Sequence, residues 1–175
     1  YDYSTSFDVT FSEASAPSER NIFDFYVRRR FSLFNGVFYY GIRFETDVNT
    51  GEGTVSLITD QYAQIGDAPE ITAEEKTVIE GGEPKKVSVA KTVPLNYISK
   101  GFAGTKHTVR IDALDNVITV YIDDMTTPIL EYTDENSATF KGNGGIGFYS
   151  DSACVSVDNI VVRKLDDPVG GDYDN

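Results

Sequence analysis

The chain has 175 residues, of which 40% are hydrophobic and 13% aromatic, and carries a formal net charge of −13 with a pI near 4.3. That length builds one domain with a sizeable core, and a field of that sign repels nucleic-acid phosphates and anionic lipid surfaces, so neither is an expected partner. A single cysteine, Cys154, excludes an intrachain disulfide, one His beside one Cys excludes the usual zinc site, and no stretch has the apolar length of a membrane-spanning helix.

Strand patterns follow one another from the start. Residues 5–12 set Phe7, Val9 and Phe11 against Ser6, Asp8 and Thr10, the period of two that marks a strand with one buried face. Residues 21–31 place Phe23, Phe25 and Val27 on one side and Asp24, Tyr26 and Arg28 on the other. Residues 37–45 do the same with Phe38, Tyr40, Ile42 and Phe44 against Tyr39, Gly41 and Arg43, and Asn35-Gly36 between the two runs is a tight-turn signal, so they read as a hairpin. GTVSLITD, 53–60, is a further strand. Residues 66–86 are polar, with two prolines and a Gly-Gly, and read as a long excursion within which AEEKTVIE fits either a short helix or a strand. The β pattern resumes at 86–93.

The second half is more regular. Residues 106–114 alternate Val109 and Ile111 with Thr108, Arg110 and Asp112, and 117–123 alternate Ile118, Val120 and Ile122 with Thr119, Tyr121 and Asp123, joined by Asp115-Asn116 as a second hairpin. Residues 127–134 read as an edge strand, because Pro128 lacks a ladder donor. Residues 145–150 and 154–163 read as a closing hairpin with Ile146, Phe148, Val155 and Val157 turned to the core, Tyr149 turned out and Cys154 as a small core residue. About ten strands without a long helix predict an all-β sandwich over residues 1–165, with 166–175 as a linker or tail. The absence of a fixed-period repeat argues against propellers and solenoids.

Four stretches carry a resemblance: YDYSTSFDVTF near the start, GVFYYGIRFE followed by GTVSLITD, the hairpin KHTVRIDALDNVITVYIDDMTTPILEYTD, and the closing GGIGFYSDSACVSVDNIVV. In order and spacing they resemble the concanavalin A-like lectin/glucanase superfamily, in particular its laminin-G-like, carbohydrate-binding members, and together they cover most of the chain outside 61–105. The resemblance implies a two-sheet antiparallel jelly roll. It also implies a glycan or polysaccharide as partner and an extracellular or cell-surface location within a larger bacterial protein. The chain departs from the pattern in having no Trp and in lacking the strand that usually comes first, which suggests a fragment. Related sandwiches often hold a structural calcium between the first and last strands, which would fall to Asp158. Asp123, Asp124 and Asp134 are the other oxygen donors of the right kind. The competing reading of Asp158 is that it caps a strand bulge.

Catalysis is not expected. Retaining hydrolases of this fold carry Glu-x-Asp-x-x-Glu on one strand, where period two turns the carboxylates into one cleft. Here Glu45-x-Asp47 is followed by Thr50 in place of the second Glu. TFKGNGG, 139–145, is similar to one alginate-lyase signature but lacks its companions. His107 is a candidate general base or a packing residue. No nucleophile elbow or phosphate loop occurs.

The non-core faces offer a binding surface. Tyr26, Arg28, Tyr39, Arg43, Arg110, Tyr121 and Tyr149 interleave flat rings with guanidinium groups, the chemistry that stacks on sugar C–H faces and forks onto hydroxyls or a carboxylate. The alternative is that Tyr, Thr and Arg fill these positions for β propensity alone. A rim loop with Asn96, Tyr97 and Phe102 is a competing site. A non-catalytic carbohydrate-binding domain leads. A structural or adhesive module contacting protein and a divergent hydrolase or lyase stand behind it.

Overall fold

A computed structural model describes residues 2–12, 20–32, 36–47, 53–61, 74–80, 83–94, 106–133, 144–151 and 153–165. These form eleven strands and, among the described residues, no helix: β1 (Tyr3–Ser12), β2 (Arg20–Ser32), β3 (Gly36–Asp47), β4 (Gly53–Gln61), β5 (Glu74–Glu80), β6 (Glu83–Pro94), β7 (Lys106–Leu114), β8 (Val117–Ile122), β9 (Leu130–Thr133), β10 (Gly145–Asp151) and β11 (Cys154–Lys164). They build a five-stranded sheet ordered β11-β1-β7-β8-β9 and a six-stranded sheet ordered β10-β2-β3-β4-β6-β5, with every pairing antiparallel. This is the jelly-roll sandwich expected from the alternation.

The sheets meet through the apolar sides of their strands. Phe7 and Val9 of β1, Val109 and Ile111 of β7, and Ile118 and Val120 of β8 face Phe23, Phe25 and Val27 of β2, Ile42 and Phe44 of β3, and Val55 and Leu57 of β4 in one buried cluster. Phe7 stacks on Phe25 across the layers, ring centroids 4.2 Å apart. Phe11 lies 6.0 Å from both Phe23 and Phe44.

Of the two readings of AEEKTVIE the strand is the one observed, and other expectations change. AEEKTVIE lies mainly in β5, paired along β6, which begins at Glu83 rather than 86. Glu80 stands opposite Glu83. The last two strands are not a hairpin: β10 pairs with β2 in one sheet and β11 with β1 in the other. Alternation shows that each strand buries one face but not which neighbour it joins. Phe148, expected in the core, is 61% exposed because β10 is the outermost strand of its sheet. The side chain of Cys154 lies outside the described residues.

Arg28 also departs from its expected place. A bulge interrupts the β2–β3 register between Val27 and Arg30, and Arg28 has a φ of 52° in the left-handed region. The side chain therefore leaves the outer face and crosses to the other sheet. Its backbone N–H donates to Tyr3 Oη at 2.5 Å. Its Nη2 donates to Asp2 Oδ1 at 2.9 Å and to the Ala113 carbonyl at 3.1 Å, and its Nη1 to the Asp115 carbonyl. Gly144 fits beside it: a Cβ there would stand 2.4 Å from the Arg28 carbonyl carbon. Burial pushes the Tyr3 phenol above its ordinary range.

Because a long side chain at positive φ costs on the order of 1–3 kcal/mol and glycine adopts it freely, the two losses at Arg28 separate. Arg28→Ala and Arg28→Gly both remove the cross-sheet bonds, but Arg28→Gly also relieves the backbone. In urea unfolding both variants are expected to be less stable than the parent, with Arg28→Gly the less damaged by about 1 kcal/mol. Equal or reversed losses would show that the φ carries no strain.

Candidate functional site

The strands β2, β3 and β4 bury both of their faces. Residues 22 to 28, 39 to 44 and 55 to 58 are buried without a break. One face is the apolar core. The other, the outer face of the six-stranded sheet, carries Asp24 and Tyr26 from β2, Tyr39, Gly41 and Arg43 from β3, Ser56 and Ile58 from β4, and Tyr149 from β10.

Register sets these residues in rows. Tyr149, Asp24, Arg43 and Ser56 stand side by side across four strands, and Gly147, Tyr26, Gly41 and Ile58 form the next row. Arg43 grips Asp24 as a fork, Nε to Oδ1 at 2.7 Å and Nη2 to Oδ2 at 2.6 Å, with Arg43 only 2% exposed and Asp24 fully buried. Such charge-assisted, bidentate geometry is the strongest that a carboxylate and a guanidinium make. Tyr26 Oη donates a third bond to Asp24 Oδ2 at 3.1 Å. The Tyr26 and Tyr39 rings lie 4.3 Å apart, tilted by 46°, and pack with Ile58 and the half-buried Tyr149.

Gly41 makes the cluster possible. A Cβ at that position would sit 2.7 Å from Ile58 Cγ1 and 3.2 Å from Tyr26 Cδ1. The missing side chain is the space into which the ring and the isoleucine settle. Glu45, half-buried, stands one row further along with Ile22 and Thr54 as its cross-strand neighbours.

The seven expected binding residues divide three ways. Tyr26, Tyr39, Arg43 and Tyr149 come together on this face. Arg28 does not, because the bulge turns it to the far sheet. Arg110 and Tyr121 pair on the outer face of the five-stranded sheet, on the opposite side of the sandwich, with the guanidinium carbon 3.8 Å from the ring centroid and Arg110 Nη2 3.2 Å from Asp112 Oδ2. The single platform is therefore two separate surfaces. Asp24 was seen on the outer side of its strand but not as the partner of Arg43. Ser56 and Ile58 were missed altogether, although the adjacent apolar pair Leu57-Ile58 breaks strict alternation and signals burial on both sides.

His107 is buried, on the core side of β7 with Val109 and Ile111, and its Nδ1 lies 2.8 Å from Asp123 Oδ2. That places it away from the carboxylates of the outer face. Thr50 of the interrupted Glu-x-Asp-x-x-Glu pattern, the rim residues Asn96, Tyr97 and Phe102, and Asp134 lie outside the described residues, as does most of TFKGNGG.

Asp158 sits at a bulge in β11, where Asn159 has a φ of 53° and the register slips between Asp8 and Ser6. It stands opposite Asp8. The Asp8 carboxylate already accepts from Lys106 Nζ at 3.1 Å, Thr108 Oγ1 at 2.8 Å and Asn159 Nδ2 at 2.8 Å. The Asn159 bond, then Thr108 and Lys106, hold its pKa down at about 2. Asp124 is likewise lowered to about 2, by the Thr126 hydroxyl and backbone N–H first. Calcium wants six to eight oxygens. A cation here would have to displace an ammonium group, and no cluster of three metal-ligating side chains occurs among the described residues. The residues present do not fit the ion.

The comparisons with known proteins agree with the architecture. No protein-family model and no curated protein matches the sequence. Among solved structures, the carbohydrate binding module CBM66 from Bacillus subtilis is similar at a TM-score of 0.50 and 13% identity, covering 93% of this chain and 75% of that one. Sheep galectin-11 in complex with glycerol aligns at 0.49 and 10% identity, over 93% and 90% of the two chains. The kappa-carrageenase from Pseudoalteromonas carrageenovora, in complex with an oligotetrasaccharide of kappa-carrageenan, aligns at 0.45 and 13%, over 90% and 51%. The chain has a two-sheet antiparallel jelly-roll fold.

Removing one member of a buried ion pair strands the other charge, a loss of about 3–5 kcal/mol, whereas replacing both by apolar groups of similar volume is often neutral or stabilising. Asp24→Asn is therefore expected to lower unfolding stability by roughly that amount, and Asp24→Leu with Arg43→Met to recover most of it. Calorimetric or urea unfolding of the two variants checks this. A double variant as unstable as the single one would assign the loss to something other than the stranded charge.

Proposed function

We propose that the outer face of the six-stranded sheet binds a glycan, and that the domain is a non-catalytic carbohydrate-binding module of a larger extracellular bacterial protein. The observation that carries this reading is the gathering of Tyr26, Tyr39 and Tyr149 beside the Asp24–Arg43 fork on one sheet face. The half-exposed Tyr149 ring supplies a surface on which a sugar C–H face stacks, and the buried Tyr26 and Tyr39 rings beneath hold it in place. A preorganised floor suits this task, because a glycan brings many weak contacts and little affinity to spare for ordering the protein. The fold supports the reading too, since a similar solved structure is by its name a carbohydrate binding module.

The non-catalytic part rests on Asp24. Both its oxygens are engaged, by the Arg43 guanidinium and the Tyr26 hydroxyl, and it is fully buried, which suits neither a proton donor nor a nucleophile. Polysaccharides of cell walls and extracellular matrices lie outside the cell, and the proposed location follows from that partner.

Affinity gels and a glycan array test the proposal. At least one neutral or acidic polysaccharide is expected to retard the intact domain without being shortened. Tyr149→Ala, which truncates the half-exposed ring, is expected to weaken that binding by about tenfold, the scale of one lost stacking contact. Arg110→Ala and Tyr121→Ala are expected to leave it unchanged. Loss of binding in the Arg110 and Tyr121 variants but not in Tyr149→Ala would move the site to the other sheet. A folded domain that binds no polysaccharide would end the reading.

A further inference from the structure

The bulge that turns Arg28 away from the outer face of the six-stranded sheet brings the next residue onto it. The register runs from Val27 with Tyr40 to Arg30 with Phe38, so Arg28 and Arg29 together oppose one residue, Tyr39. Tyr39 belongs to the outer face, and the Arg29 stem lies there too. A Cβ added at Gly147, which pairs with Tyr26, would stand 3.4 Å from Arg29 Cδ and 3.6 Å from Tyr26 Cδ2. Long cationic side chains lay an apolar stem on a surface and keep the charged head in water. Gly147 leaves the space for the stem, the Tyr26 ring flanks it, and Arg29 as a whole is exposed.

The chain has 28 acidic residues against 15 lysines and arginines, yet no carboxylate meets this guanidinium. Arg28 is paired with Asp2 and Arg43 with Asp24. Arg29 makes no hydrogen bond or ion pair among the described residues. The acidic groups of the same face are placed elsewhere. Asp24 is buried and gripped by Arg43. Glu45 and Asp151, both half-buried, stand in the Ile22 row, three rows from Tyr39. At two residues per row that is roughly 20 Å, well beyond the Debye length of about 8 Å at physiological ionic strength. Asp60 pairs with Tyr39 on β4, two strands from β2. The face is therefore polarised along its strands, positive at Arg29, neutral at the Asp24–Arg43 fork and negative at Glu45 and Asp151.

We propose that Arg29 reads an anionic substituent, a carboxylate or a sulfate ester, on the glycan, and so sets the specificity of the face for acidic glycans. The inference rests on the glycan reading above and narrows its ligand class. A sugar stacked on Tyr149 of β10 lies two residues, roughly 7 Å, from Gly147 along the strand. An exocyclic anionic group on that sugar or its neighbour then meets the Arg29 guanidinium, whose planar fork holds two oxygens at once. A single unpaired cation serves this end of the face, and the field of a chain at −13 opposes a dense polyanion. The ligand that fits is a glycan with isolated acidic sugars among neutral ones, its charge directed away from Glu45 and Asp151.

A glycan array that carries each acidic glycan beside its neutral form tests this on the intact chain: uronates beside their methyl esters, and sulfated glycans beside their unsulfated parents. The acidic member of a pair is expected to bind at least about tenfold more tightly. Preference within the uronate pairs alone identifies a carboxylate as the group read, and preference within the sulfated pairs alone a sulfate; either supports the inference. Arg29→Gln, at an exposed position and checked for folding by circular dichroism, is expected to bring the acidic member down to the level of its neutral form and to leave the neutral form unchanged. Arg29→Glu is expected to reverse the preference. Tyr149→Ala, by contrast, is expected to weaken both members by the same factor. Equal binding of acidic and neutral members, or a preference that survives Arg29→Gln, overturns the inference and leaves the glycan face standing. A folded domain that binds no glycan of either kind ends both.

Discussion

The Asp24–Arg43 fork decides what the second face of the six-stranded sheet can be. An antiparallel sheet in a sandwich ordinarily buries one face and wets the other. Here β2, β3 and β4 bury both, and a charged pair sits on the second face with almost no exposure. Taking two charges out of water costs several kcal/mol per ion unless geometry and further hydrogen bonds offset it. The bidentate contact and the Tyr26 hydroxyl provide that offset. With the pair in place, Tyr26 is held against Tyr39, the Gly41 gap admits Ile58, and Tyr149 of the outermost strand packs onto the group. The result is a rigid floor of rings around a neutralised charge pair, and the reading as a glycan site depends on that rigidity.

Breaks in alternation organise the rest of the molecule. At Arg28 the chain takes a left-handed residue, and a side chain that period two assigns to the outer face instead ties β2 to β1, β7 and the turn after β7. At Asn159 a second left-handed residue inserts an extra position into β11. Asn159 then reaches Asp8 on the outer face, while Ile160 and Val162 are left along the open edge. Both bulges lie toward the side where the sheets end, the place where edge strands of natural proteins need protection. The exposed Phe148 belongs to the same region.

Much of this was legible in the sequence, for a physical reason: a strand with one apolar face writes its burial into every second residue. The alternations of β1, β7 and β8 located those strands within a residue or two and placed Arg110 and Tyr121 outward. The pairing of distant strands was less legible. Whether Tyr121 and Tyr39 share a sheet depends on which edges meet, and both arrangements satisfy the same pattern. The left-handed turn at Arg28 was invisible, since nothing in Val-Arg-Arg-Arg marks one arginine for positive φ in the way a glycine would. Nor did alternation show that the polar face of β2 and β3 is buried; the adjacent Leu57-Ile58 was the one hint. Calcium at Asp158 was implied by resemblance alone, and the Asp8 carboxylate opposite it is bonded to Lys106, Thr108 and Asn159.

Amide chemical-shift mapping during titration with a polysaccharide retained by the domain tests the central claim most directly. Shifts concentrated on β2, β3, β4 and β10, around Tyr26, Tyr39, Arg43 and Tyr149, are the predicted result. Shifts confined to β7 and β8, around Arg110 and Tyr121, would contradict it.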